Sequence, residues 1–125
     1  MKRNILIVDD SETSRMIIKK CFSMVGDDDS VFYEAEDGIS ALAALAKFPM
    51  DLVVTDLNMP RMDGITLVRK LRTGEKTKGL AVIVISSMEN RQLDEELRNL
   101  AVAAVIRKPL TPAKVRGALV PEGGF

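Results

Sequence analysis

Asp9-Asp10, Asp56, Ser86 and Lys108 each stand at or just past the end of a short β-branched apolar run, at 5–8, 52–54, 80–85 and 103–106. One Asp or Ser in such a place is ordinary turn chemistry. The segments around these four sites are unrelated in sequence, so local turn preference does not explain all of them at once. Three carboxylates brought into one crevice would repel each other and raise at least one pKa unless a cation sat among them. The chain has no histidine and a single cysteine, Cys21. That excludes Ser-His-Asp triads, imidazole acid–base work and ordinary zinc sites. The expected ion is therefore hard and oxygen-loving, and Mg²⁺ fits because it takes one or two carboxylates while keeping water or phosphate ligands. Lys108 adds a second positive charge suited to a phosphate oxygen.

The spacing of the other residues supplies the elements that must hold these groups. The apolar runs, with a fifth at 31–34, predict short buried strands. Between them lie five helical patterns. The first starts at Ser11 or Glu12, carries Met16, Ile17, Cys21, Met24 and Val25 at intervals of three and four, and is closed by Gly26. The others fall at 39–48, 64–73, 90–100 and 112–119; Asp37 serves as a cap or turn residue, Pro49 stops the second, and Thr111-Pro112 opens the last. Leu93, Leu97 and Leu100 form the apolar stripe of the fourth. Asp27-Asp28-Asp29 lacks the spacing of a calcium loop and reads as a solvated turn. Strands alternating with helices predict an α/β fold, a doubly wound five-stranded parallel sheet with helices on both faces. The working site of such a sheet lies past the C-terminal strand ends, at the switch point.

Bulk properties narrow the function. The 125 residues make one domain, 1–125, with 18 basic and 18 acidic side chains and no basic tail, so nucleic acid is not an expected partner. No apolar run approaches the roughly 18 residues of a membrane span, and the first residues carry no signal-peptide pattern. A reducing cytoplasm suits the lone cysteine.

With these residues in place, the chain closely resembles the receiver domain of two-component response regulators, in particular the single-domain chemotaxis-type members. The resemblance rests on the acidic pair after the first strand, Asp56 within D-x-N-M-P-x-M-D-G, Ala35-Glu-Asp-Gly38, the hydroxyl after the fourth strand and Lys108-Pro109 after the fifth. It implies a flavodoxin-like strand order of 2-1-3-4-5 and Asp56 as phosphoryl acceptor. It further implies Mg²⁺, with Mn²⁺ as a substitute, bound directly by Asp10, Asp56 and the backbone carbonyl of Asn58, and by Asp9 through water. Ser86 and Lys108 would contact the phosphoryl oxygens. The donor would be a phosphohistidine on a histidine kinase or phosphotransfer protein, or a small acyl phosphate. A downstream protein would read the face of helix 4, strand 5 and helix 5. The Lys108-Pro109 bond is expected to be cis. The resemblance as a whole implies a phosphorylation-dependent switch, not a turnover enzyme.

Two positions depart from the family pattern: Val105 replaces an aromatic three residues before the lysine, and Leu110 an aromatic after Lys-Pro. Met88, two residues after Ser86, is expected to shield an aspartyl phosphate from water. Among rival readings, a haloacid-dehalogenase-type phosphotransferase needs a second Asp where Asn58 stands, since an amide cannot move the proton. Glycine-rich phosphate loops follow no strand, and Asp9-Asp10 would repel a flavin phosphate. A receiver-like interaction domain that is never phosphorylated would not need the retained acids, hydroxyl and lysine.

Overall fold

The apolar runs become five strands: β1 (Asn4–Val8), β2 (Val31–Ala35), β3 (Leu52–Asp56), β4 (Ala81–Ser86) and β5 (Ala104–Arg107). This is seen in a computed structural model of the chain, which describes residues 2–87 and 90–119. The strands form one sheet in the order β2-β1-β3-β4-β5, every pairing parallel. The order expected from the resemblance is the order found. Five helices connect or follow the strands: α1 (Glu12–Phe22), α2 (Gly38–Lys47), α3 (Gly64–Thr73), α4 (Arg91–Asn99) and α5 (Pro112–Leu119).

Strand side chains alternate between two cores, as a pleat of period two requires. Leu6, Val8, Val53, Val82 and Val84 pack with Ala41 of α2, Leu67, Val68 and Leu71 of α3, and Leu97 of α4. Ile5, Ile7, Leu52, Val54, Ile83, Ile85 and Ile106 pack on the other face with Ile18, Cys21 and Phe22 of α1 and Val115 of α5. Each large aliphatic side chain so enclosed contributes about 1.5–3 kcal/mol relative to exposure. The central strands β1, β3 and β4 are thereby enclosed on both faces over most of their length, up to the ends that carry the candidate site.

The buried face of α1 differs in part from the expected one. Cys21 is buried and Val25 packs against the core as expected, but Ile18 and Phe22 join them, whereas Met16, Ile17 and Met24 are exposed. Two apolar stripes overlap on this helix, and the one holding bulky Phe22 faces the sheet. A wider helical turn (Ser23–Asp27) follows, in which Gly26 has φ 118°, so the chain does reverse at the expected glycine. Asp27 is a second correction. It is buried, accepts from Arg3 Nε at 3.1 Å and Nη2 at 2.6 Å, and accepts from Ser30 Oγ at 3.0 Å.

Candidate functional site

Because every strand is parallel, the C-terminal ends of β1, β3, β4 and β5 open on one edge. Asp9 and Asp10 follow β1, Asp56 is the last residue of its neighbour β3, Ser86 ends β4, and Lys108 follows β5. Carboxylate oxygens of Asp9, Asp10 and Asp56 all lie within 4.8 Å of one another. Lys108 Nζ reaches in to 3.4 Å from Asp56 Oδ1 and 3.9 Å from Asp9 Oδ2. Asp9, Asp56 and Ser86 are buried, while Asp10 is exposed at the rim.

Local chemistry sets each of these positions. Asp9 Oδ1 accepts from Ser11 N at 2.9 Å, which turns the chain into α1, and Ser11 Oγ caps that helix by accepting from Ser14 N. Arg15, one turn into α1, donates to the Asp9 carbonyl at 2.7 Å and to Glu34 Oε1 of β2 at 2.8 Å. The backbone N–H of Lys108 donates to the Ser86 carbonyl at 3.0 Å, tying β5 to β4 where both finish. The Lys108-Pro109 peptide is cis. After Asp56 the loop passes exposed Asn58 and returns at Gly64, whose N–H donates to the Leu57 carbonyl at 2.9 Å. A Cβ on Gly64 would lie 2.2 Å from the Asp56 carbonyl oxygen, so only glycine lets α3 start this close to the site.

The electrostatics are those of a site short of positive charge. Burial pushes the Asp9 carboxyl above its usual range; the Ser11 N–H opposes this, and Asp56 adds to it. Burial likewise pushes Asp56 up, against the pull of the Lys108 ammonium. One atom, Asp9 Oδ2, is fully buried and accepts no hydrogen bond. A buried carboxylate oxygen without a donor is unfavourable by itself. Three clustered carboxylates with one such oxygen are the donor set that an oxygen-loving dication satisfies. The residues present fit Mg²⁺ or Mn²⁺.

Among the described residues no helix is long and apolar enough to cross a membrane. The model of the response regulator receiver domain matches residues 5–120. The chain belongs to the response regulator receiver family. This receiver domain is 40% identical to chemotaxis protein CheY-3 of Vibrio cholerae over 92% of its length and 87% of that protein's. It is 39% identical to chemotaxis protein CheY of Pseudomonas aeruginosa, covering 86% of this chain and 85% of the relative. The receiver domain of sensor histidine kinase PA1611 of P. aeruginosa, whose structure has a magnesium ion coordinated in the active-site cleft, shares the fold. Its TM-score is 0.78 at 20% identity, covering 93% of both chains. Receiver domains belong to two-component signalling, carry a phosphorylation-driven switch and bind divalent metal through acidic residues; they are signalling modules, not turnover enzymes.

Several neighbours of this receiver's site escaped the sequence reading. Arg15 and Arg61 act through contacts to residues 19 and 24 positions away, Glu34 and Asp37. Only the helical position of Arg15, close behind the acidic pair, offered a hint. Met88 lies outside the described residues. Val105 is half-buried in β5 and packs against the core on the α2, α3 and α4 side, in register with Val84. Leu110 lines an apolar hollow of about 190 Å³ with Ile17, Ile18 and Ile85, bounded by Asp9 and Lys108.

Proposed function

We propose that Asp56 accepts a phosphoryl group and that this single modification switches the domain between partner-binding states. The observation that carries the reading is the set of three carboxylates within 4.8 Å, holding one buried oxygen that accepts no hydrogen bond and faced by the Lys108 ammonium. Asp10, Asp56 and the backbone carbonyl of Asn58 would hold Mg²⁺ directly, and Asp9 through water; Mn²⁺ would serve in its place. When bound, the ion supplies positive charge to the phosphoryl oxygens and lowers the carboxylate pKa values.

The protein's own share of the chemistry is alignment and charge. An Asp56 carboxylate oxygen attacks phosphorus, the new O–P bond forms as the donor's N–P bond breaks, and the leaving imidazole takes up a proton. A carboxylate is a modest nucleophile, so most of the acceleration comes from holding it in line and offsetting charge on the transferring group. Lys108 donates to a phosphoryl oxygen, and Ser86 turns its hydroxyl toward another. The donor is a phosphohistidine of a histidine kinase or phosphotransfer protein, or a small acyl phosphate such as acetyl phosphate. Asn58 cannot relay the proton that a turnover phosphatase needs, so the domain acts as a switch and not as an enzyme. Residues 1–125 form one receiver unit acting in the cytoplasm, and a downstream protein reads the face of α4, β5 and α5.

Incubation with acetyl phosphate and Mg²⁺, followed by intact mass measurement, tests this. Wild type should gain one phosphoryl group and Asp56→Asn none. No phosphoryl gain on wild type would leave only a receiver-like interaction domain, and the same gain on both proteins would place the acceptor elsewhere than Asp56.

A further inference from the structure

The loop that carries Asn58 from Asp56 to Gly64 is braced from an unexpected side. Arg61, at its tip, has φ 65°; among the described residues only it and Ala101 are non-glycine residues at positive φ. An L-residue persists there only where its surroundings hold it. What holds Arg61 is Asp37, at the start of α2. Asp37 is 1% exposed, and its two oxygens have separate tasks. Oδ1 accepts from Ser40 N at 2.8 Å and Ser40 Oγ at 2.9 Å, capping α2. Oδ2 accepts from Arg61 Nε at 2.7 Å and from Arg61 Nη2.

Arg61 lies over half exposed, and an exposed arginine in an ion pair ordinarily contributes little. Here the partner is buried, and losing the guanidinium would leave Asp37 Oδ2 without these donors inside the fold. The brace is also short. Gly38 N–H donates to the Met62 carbonyl at 3.3 Å, and a Cβ on Gly38 would lie 2.6 Å from Met62 Sδ, so turn and loop already touch. Met62 N–H in turn donates to the Pro60 carbonyl at 2.7 Å, closing the loop tip on itself. The β2–α2 turn thus fixes the loop three residues past Asn58 and five past Asp56.

We infer that Arg61 is a positioning residue: by gripping buried Asp37 it holds the β3–α3 loop so that the oxygens of Asp56 and Asn58 are pre-set for the divalent ion. This rests on the metal and acceptor roles proposed above. It adds a residue outside the site and a route by which the β2–α2 turn tunes metal affinity.

The test is Mg²⁺ titration of the full chain by calorimetry, with Arg61→Gly, Asp37→Asn and the double variant beside wild type. Circular dichroism confirms folding. Glycine accepts the left-handed φ freely, and asparagine remains a good cap, so each variant removes the ion pair while sparing local backbone preference. Each should weaken Mg²⁺ binding roughly tenfold, as expected when groups supporting metal ligands are lost. The double variant should be no weaker than the poorer single one. Phosphorylation by acetyl phosphate should slow at limiting Mg²⁺ and recover when Mg²⁺ saturates. Unchanged Mg²⁺ affinity in a folded variant, even with a lower melting temperature, would overturn the inference and leave a purely structural cap. Either single variant decides the matter if the other does not fold. If wild type itself neither binds Mg²⁺ nor gains a phosphoryl group on Asp56, the site reading fails and the inference falls with it. A wild type that does both beside unaltered variants sinks the inference alone.

Discussion

Lys108 Nζ lies 3.4 Å from Asp56 Oδ1, so a cation from the end of β5 reaches across β4 to the carboxylate that ends β3. The same ammonium lies 3.9 Å from Asp9 Oδ2, so one positive charge faces both buried acids. A charge-assisted hydrogen bond contributes about 1.5–3 kcal/mol. Lys108→Met should therefore slow phosphorylation by acetyl phosphate about 10- to 100-fold, read by intact mass against time. A rate within twofold of wild type would remove the lysine from the chemistry.

The raised Asp9 and Asp56 carboxyls make a signed prediction about pH and metal. In the unfolded chain they ionise near the ordinary value of 3.8, and in the fold they ionise higher. Between those values the native state holds more protons than the unfolded state. Their contribution to stability is therefore fully present below 3.8 and is lost as pH rises through the folded values. In EDTA at neutral pH, Asp9→Asn should raise stability by roughly 1–2 kcal/mol, because the amide oxygen still accepts from Ser11 N and a buried charge is gone. For a domain of this size that is a melting-temperature rise of about 3–10 °C. Mg²⁺ should stabilise wild type well and Asp9→Asn poorly. A metal-free melting temperature lowered by Asp9→Asn would contradict this account.

Gly64→Ala probes the closeness of α3 to the site. The added methyl would meet the Asp56 carbonyl at 2.2 Å and Leu57 Cα at 2.8 Å, both backbone atoms with no freedom to yield. Overpacking of this kind costs about 1–3 kcal/mol. Chemical denaturation should show that loss, and acetyl phosphate should label the surviving folded protein more slowly, because Asp56 itself is displaced.

Val105 bears on how complete the switch is. Contacts from Ser86 and Lys108 to a phosphoryl group supply at most a few kcal/mol. Moving a population from 1:99 to 99:1 takes about 5.5 kcal/mol. With a half-buried valine where the family pattern has an aromatic, a large side chain has no burial to add. Relaxation-dispersion NMR with a phosphoryl mimic should find two exchanging states, driven to one by the downstream partner. A single converted state without partner would contradict this.

Much of this arrangement was legible from residue order alone because parallel strands of alternating apolar residues leave few options. Strand 52–54 had to be buried on both faces, which placed Asp56 at its open end; α3 begins and ends at its glycine signals, and α5 begins at its proline. What stayed hidden depended on partners distant in sequence. Nothing near Asp27 announces Arg3, and nothing near Asp37 announces Arg61, yet those pairs decide which acids are buried. The face of α1 was legible only in part: Cys21 and Val25 pack as their spacing suggests, but apolar residues nearly surround this short helix, and Ile18 and Phe22 enter the core where Met16, Ile17 and Met24 do not.

β3 is sealed on both sides and finishes on Asp56. Its alternate residues, Val53 on one side and Leu52 and Val54 on the other, belong to separate hydrophobic slabs. The carboxylate that ends β3 is thus joined to both slabs by the backbone of a single strand. If Asp56 takes up a phosphoryl group as proposed, the helices packed on either face of the sheet are both joined to that event through β3.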